Sequence, residues 1–303
     1  MLSYSTDDRA RATTVDAAVA FDAAVQSSAG PRPDNQDSAL AGERLVALAD
    51  GVGGHVGGSV ASALVISWLV PLARASTVTQ LGATQLRQVI GGANARIAAV
   101  VDVRPWLSSM ATTLVVVLAD ASGLTVAHTG DSRVYIQRNG QLSQVTGDQT
   151  FVQTLVDRGF ITPAEAAVHP QRSVVYAALQ GRQADLTQLQ VQALPAAPGD
   201  RLLLCSDGLS DVVSADRLEQ VLAENEAPAR TARHLVQAAL ESGASDNVTV
   251  VVADVIAGRI PSESGPRTAG AAAHYAPEVD EALEALWPGI TIATTADRGS
   301  APT

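Results

Sequence analysis

Four aspartates stand in separated small-residue contexts, Ala49-Asp50-Gly51, Gly130-Asp131-Ser132, Ser206-Asp207-Gly208 and Ser245-Asp246-Asn247, and a fifth follows in Asn35-Gln36-Asp37. Carboxylates gathered at one point repel one another unless a cation compensates them, and hard divalent ions such as Mg²⁺ and Mn²⁺ suit oxygen donors. The pattern predicts one metal site assembled from five places. Each of the first four aspartates adjoins an apolar run that reads as a strand: Arg44 to Ala49, Leu124 to His128, Leu202 to Cys205 and Val248 to Val252. Strand ends converge in space, so carboxylates remote in sequence can meet there.

The elements that must position them are legible in outline. Strands are expected at Ala18 to Ser27, Thr112 to Leu118, Val134 to Arg138, Gln141 to Val145, Leu186 to Val191 and Arg201 to Cys205, with Asn139-Gly140 as a two-residue hairpin turn. Helices are expected at Ser59 to Arg74, Thr84 to Val101, Ala215 to Ala223 and Ala229 to Ser242, where apolar residues recur every three or four positions. From Asp148 to Gly181 the pattern turns local and helical, and Thr162-Pro-Ala-Glu165 supplies a capping box. Asp148 itself reads as a helix cap for Thr150 to Arg158. Strands in runs and helices in pairs predict an α+β layered fold with antiparallel sheets over a doubly wound one. Residues 1–14 read as a flexible segment, 15–256 as one domain, and 257–303 as a flexible tail in which Pro277 to Trp287 has the pattern of a short helix.

Composition narrows the function. A chain of 303 residues with 47% hydrophobic content has ample material for a core. Its net charge of −11 argues against a nucleic-acid partner, since no basic stripe exists to displace counterions from phosphates. All 20 basic residues are Arg, so no lysine nucleophile is available. The single cysteine, Cys205, excludes an intramolecular disulfide and reads as a small buried hydrophobe. The polar start of the chain lacks the form of a signal peptide, and the longest apolar stretch, Val60 to Ala73, falls short of the ~20 residues needed to span a bilayer. A cytoplasmic monomer without membrane attachment is expected.

In order, the motifs are Gly30-Pro-Arg32-Pro-Asp-Asn-Gln-Asp37, Ala49-Asp50-Gly-Val-Gly-Gly-His55, Met110-Ala-Thr-Thr-Leu-Val115, Gly130-Asp131-Ser-Arg133, Ser206-Asp207-Gly208 and Ser245-Asp246-Asn-Val-Thr249. This ordered set resembles the bacterial metal-dependent protein phosphatases of type 2C, the PPM family, from about Phe21 to Val255. The resemblance implies a four-layer α-β-β-α sandwich with the active site at one end. It further implies that Asp50 bridges two Mn²⁺ or Mg²⁺ ions, that Asp207 and Asp246 complete the first, and that the Gly51 carbonyl, with Asp37 through water, holds the second. Asp131 with Asp207 matches a third metal position. Asp50, Asp207, Asp246 and Arg32 would then carry catalysis, Arg32 clamping the phosphate with planar paired donors. The implied reaction is hydrolysis of phosphoserine and phosphothreonine on proteins, kinases among them, by a metal-activated water with no covalent phosphoenzyme. The insertion at 148–181 corresponds to the family's flap beside the site, with His169-Pro170-Gln-Arg172 near the cleft.

Several positions depart from the family pattern. Gln36 stands where Glu is common, which suggests a weaker second metal and opens an alternative, a pseudophosphatase that only binds phosphoprotein. Val52 replaces a His proposed as general acid in eukaryotic members, leaving the leaving group to be protonated by water. Ala111 and Gln149 replace Gly and His, with packing consequences expected. A haloacid-dehalogenase mechanism would need an Asp-x-Asp pair, and Asp50-Gly-Val lacks it. His55 reads as a backbone partner of its loop, His128 as a core histidine, Thr112 and Thr113 as the start of a buried strand, and Arg133 as either a site residue or an internal ion-pair partner.

Overall fold

The computed structural model describes residues 19–52, 56–74, 82–120, 123–258 and 265–274. His55 and Pro277 to Trp287 lie outside them. Two antiparallel sheets face each other. The first contains β1 (Val19–Ser28), β8 (Arg133–Arg138), β9 (Gln141–Gln144), β11 (Arg201–Cys205) and β12 (Val248–Ala257) in the order β1-β12-β11-β8-β9. The second contains β2 (Ser38–Ala41), β3 (Leu45–Ala49), β6 (Leu114–Asp120), β7 (Gly123–Thr129), β10 (Gln190–Leu194) and β13 (Arg267–Gly270) in the order β10-β7-β6-β3-β2-β13. A two-residue ribbon pairs β4 (Gly51–Val52) with β5 (Ala111–Thr112).

Period-two alternation divides the strand residues between three cores. Val46, Leu48, Val115 and Val117 meet Leu202, Leu204, Val251 and Ala253 between the sheets. Their neighbours Leu45, Ala47, Leu114 and Val116 face outward under α1 (Val56–Arg74) and α2 (Ala83–Val103). On the opposite side Leu203, Cys205, Val250 and Val252 face α6 (Ala215–Ala223) and α7 (Pro228–Glu241). Both faces of the central strands are therefore dry, which is why they read as unbroken apolar runs. The result is the four-layer α-β-β-α sandwich that the resemblance implied, and the doubly wound alternative is excluded by the wholly antiparallel pairing.

Three expectations are corrected. The stretch Leu186 to Val191 is not one strand: a 3₁₀ turn occupies Gln183–Thr187, and β10 begins only at Gln190. The Asp185 carboxylate causes this by accepting the Gln180 and Arg182 N–H groups, each at 2.8 Å, which curls the chain. Asp148 does not cap the helix α3 (Phe151–Asp157); the Thr150 hydroxyl accepts from Gln153 N–H instead, while Asp148 pairs with Arg133. Order also extends beyond residue 256, because β13 pairs with β2 and is followed by the short helix α8 (Ala271–His274), whose Ala271 and Ala272 join the core beneath α1. The capping box at α4 (Pro163–Ala167) is present as expected, and both residues of the Asn139-Gly140 turn have positive φ.

Candidate active site

Strand register brings the five aspartates to one end of the sandwich. In the first sheet Ser28 lies opposite Val248, and Cys205 lies opposite both Val250 and Arg133. Asp246, Asp207 and Asp131 each lie two residues beyond one of these paired positions. In the second sheet Ser38 pairs with Ala49 and Leu114 pairs with Thr129, which sets Asp37 and Asp50 one residue beyond the same end.

Side chains that motif reading passed over fix these loops. Asp50 is held through its backbone: its N–H donates to Thr113 Oγ1 at 3.0 Å, and its carbonyl accepts from Thr112 Oγ1 and from Thr113 N–H, both at 2.9 Å. Ser206 Oγ donates to Asp37 Oδ2 at 2.9 Å and accepts from Thr249 N–H. Asn247 ties two loops together, its Oδ1 accepting from Gln36 N–H and its Nδ2 donating to the carbonyls of Ala29 and Asp34. Gly208 lies flat against this residue; a Cβ there would sit 1.9 Å from Asn247 O, so any side chain would push Asp207 away from Asp246. Serine, threonine and asparagine are too common for spacing to single them out. For Ser206 and Asn247 the signal is adjacency, since each is next to a candidate ligand; Thr112 and Thr113 carry none.

Asp50, Asp131, Asp207 and Asp246 line an open cleft of about 420 Å³, together with Arg32, Gln36, Gly51 and Val52, and Asp37 is buried close to Asp50. Burial, and then the charges of Asp37, Asp207, Asp131 and Asp246, hold the Asp50 carboxyl well above its ordinary range. Asp207 is raised in the same sense by burial and by Asp131. Asp37 is pushed up to about 6 and Asp131 to about 7, burial being the leading cause for both. Asp37 Oδ1 is buried with no hydrogen-bond partner. Crowded, acceptor-only oxygens with an orphan among them fit a divalent cation and nothing apolar. Asp37, Asp50, Asp131, Asp207 and Asp246, with the Gly51 carbonyl, could supply its ligands.

Arg32 stands on the rim, its Nη2 2.8 Å from Asp246 Oδ2 and its Nε donating to Ser245 O. Arg133 is resolved as an internal ion-pair partner, bonded bidentately to Asp148 with a shortest distance of 2.6 Å. His128 is buried, and burial lowers its pKa, so it is a neutral core residue. Gln149 has a structural task at the position noted above: its amide accepts from Gly130 N–H and donates to Gln188 O. Arg172 and Ser173 border a second hollow that shares Asp131 and Asp207 with the first, while His169 packs against Phe151.

A family model for protein phosphatase 2C matches residues 28–243. The serine/threonine protein phosphatase PstP of Mycobacterium tuberculosis is 48% identical over 225 residues, covering 74% of this chain and 43% of that protein. The chain thus spans less than half the length of that relative. The serine/threonine phosphatase stp of Listeria monocytogenes is 30% identical over 226 residues, covering 73% of this chain and 86% of the relative. Among solved structures, the M. tuberculosis phosphatase PstP/Ppp superposes with a TM-score of 0.74 at 45% identity, covering 78% of this chain and 99% of that one. The catalytic domain of PstP in complex with 2 manganese ions gives a TM-score of 0.72 at 44% identity, with coverages of 78% and 99%. With the fold, the ordered motifs and the carboxylate cluster in agreement, the chain belongs to the protein phosphatase 2C family.

Proposed function

We propose that this protein is a metal-dependent phosphoserine/phosphothreonine protein phosphatase. The observation that carries the reading is the convergence of Asp50, Asp131, Asp207 and Asp246 on one cleft, with Asp37 buried close to Asp50 and keeping one oxygen unpartnered. The named activity of relatives such as PstP and stp, and the manganese bound by PstP, support it. Asp37, Asp50, the Gly51 carbonyl, Asp131, Asp207 and Asp246 would hold two or three ions. When bound, Mn²⁺ or Mg²⁺ supplies Lewis acidity toward the phosphoryl oxygens and acidifies an attacking water.

The chain's own residues do the rest. Among the described residues lining the cleft, Arg32 is the sole cationic side chain, and its planar fork can bind two phosphate oxygens once it exchanges Asp246 for substrate. Val52 offers no proton at the rim, so the serine or threonine leaving group takes its proton from solvent. The segment at 148–181 acts as a flap, Ser173 and Val175 forming its cleft-facing edge. The domain comprises residues 15–256, extended by β13 and α8. Its targets are phosphorylated proteins, Ser/Thr kinases among them, met as a monomer in the cytoplasm. No helix among the described residues is long and apolar enough to cross a membrane. Gln36 leaves the aspartate set intact, which favours the enzyme over a pseudophosphatase. Release of phosphate from p-nitrophenyl phosphate and from a phosphothreonine peptide, with Mn²⁺ and with EDTA, tests the reading. It fails if the protein binds Mn²⁺ yet turns over no faster than an Asp207→Asn control.

A further inference from the structure

Residues 267–274 follow the region matched by the family model, which ends at residue 243, yet they reach back to Asp37. The strand β13 pairs with β2 in the register Arg267↔Ala41 to Gly270↔Ser38, so its last residue lies beside Asp37. There the chain turns sharply. Gly270 adopts a φ of +70°, and a Cβ at this position would lie 2.1 Å from the Asp37 carbonyl oxygen. The next two N–H groups close the contact: Ala271 N–H donates to Asp37 O at 2.7 Å, and Ala272 N–H donates to Ser38 Oγ at 3.0 Å. Ser38 Oγ is in turn 2.9 Å from Ser62 Oγ, and the Ser62 hydroxyl is 2.6 Å from Gln36 O. Three consecutive residues, 36 to 38, are thereby pinned from behind while the Asp37 carboxylate points to the cluster with one oxygen unpartnered. Ala271 and Ala272 are buried under α1, which anchors the clamp to the helical layer.

We propose that the segment Arg267–Ala272 is a positioning element of the metal site, fixing the backbone at Asp37 so that its free carboxylate oxygen is held toward the ion. The assignment rests on the phosphatase reading above. Partners that orient a metal ligand act on affinity, and losing one costs about 10- to 100-fold in binding. The test uses the full chain, stripped of metal, in three variants. Gly270→Ala drives a methyl group into the Asp37 carbonyl. Ala271→Pro deletes the N–H donor and puts the ring Cδ where that hydrogen pointed, against the Asp37 carbonyl, at the first helical position where the helix itself tolerates proline. Val236→Ala, in the opposite helical layer, serves as a destabilised control. Mn²⁺ binding by calorimetry and the melting temperature are read for each. The expected result is a loss of about tenfold or more in Mn²⁺ affinity at one site in both clamp variants, with the control unchanged in affinity despite a lower melting temperature. KM for p-nitrophenyl phosphate at saturating Mn²⁺ should stay at the wild-type value. Wild-type protein that binds no Mn²⁺ overturns the phosphatase reading and this assignment together. Wild-type binding, with both clamp variants within about twofold of it or no weaker than the control, overturns the clamp alone.

Discussion

Replacing Asp131 by asparagine should stabilise the metal-free protein, and by more at alkaline than at acid pH. The Asp131 carboxyl is moved from 3.8 to about 7, burial being the main cause and the charge of Asp148 the next. The folded state thus keeps a proton that the unfolded chain has already released. Its stabilising contribution is fully present below the unfolded value and is lost as pH rises through the folded one. Full ionisation of such a group costs the fold on the order of 4 kcal/mol by linkage, and a little over half of that falls between pH 5 and pH 8. Asparagine, similar in shape and uncharged, removes the pH-dependent part, so the gain should be about 2 kcal/mol larger at pH 8 than at pH 5. For a domain of this size that is about 4 to 8 °C in melting temperature. Thermal melts of wild type and Asp131→Asn in EDTA, at both pH values, measure it directly. In saturating Mn²⁺ the ordering should shrink or invert, because the wild-type carboxylate is then compensated and binding adds stability by mass action. Parallel pH dependence of the two proteins in EDTA would refute the claim that Asp131 is an uncompensated buried acid.

Asp50→Asn should abolish Mn²⁺-dependent turnover, a loss of at least about 100-fold by steady-state assay, since no other residue can take the place of a carboxylate raised by four others. Arg32→Ala should raise KM for a phosphopeptide more than it lowers kcat, because a rim contact formed in the ground state contributes chiefly to binding; a large kcat loss at constant KM would show that the guanidinium acts in the transition state. Asn247→Ala removes three hydrogen bonds that join the loops at 29–36 and 246–248, and should cost about 2 to 3 kcal/mol in urea unfolding while also weakening Mn²⁺ binding. Cys205 is fully buried with its thiol pushed up to about 12, so it should react with a thiol reagent only on unfolding; rapid labelling of native protein would contradict that burial.

What the sequence disclosed depended on how strongly each residue type constrains its surroundings. The runs Leu45–Ala49, Arg201–Cys205 and Val248–Ala257 announced themselves because both faces of those strands are largely buried, so every position is apolar or small except Arg201 and Asp254, which pair with each other. The four-residue β2 and β13 did not, since Ser38–Ala41 is short and Arg267–Gly270 is a half-exposed edge strand with no periodic signal. A solvent-facing edge demands little of its side chains; its pairing is carried by backbone groups that every residue has. The same asymmetry holds in the cleft. Carboxylates in small-residue turns were conspicuous, because few structural reasons place so many beside strand ends. Thr113, Ser206 and Asn247 fix the geometry as firmly, yet a hydroxyl or amide has many uses, and only the three-dimensional neighbours select one. Asp148 shows the converse error. Its local context suited a cap, but a bidentate pairing with Arg133 outweighs a cap that Thr150 can supply two residues later.

The carboxylate cluster also explains why so rigid a scaffold surrounds it. Five acids gathered at one end of the sandwich without a cation would relax apart if the loops carrying them could move, since each retreat lowers the repulsion. Here retreat is blocked. Asp50 is bonded through both backbone groups to Thr112 and Thr113, Asp207 is wedged by the contact of Gly208 with Asn247, and Asp37 is closed in from behind by Ala271. Burial, and after it the repulsion of like charges, is therefore expressed as raised pKa values rather than as displacement, which favours protons at the site in the absence of metal. Binding of divalent ions must then release those protons. In a weakly buffered solution at pH 6, addition of Mn²⁺ should acidify the medium, and the enthalpy of binding should vary with the ionisation enthalpy of the buffer. A buffer-independent enthalpy would mean that the acids were ionised beforehand and that the loops had yielded instead.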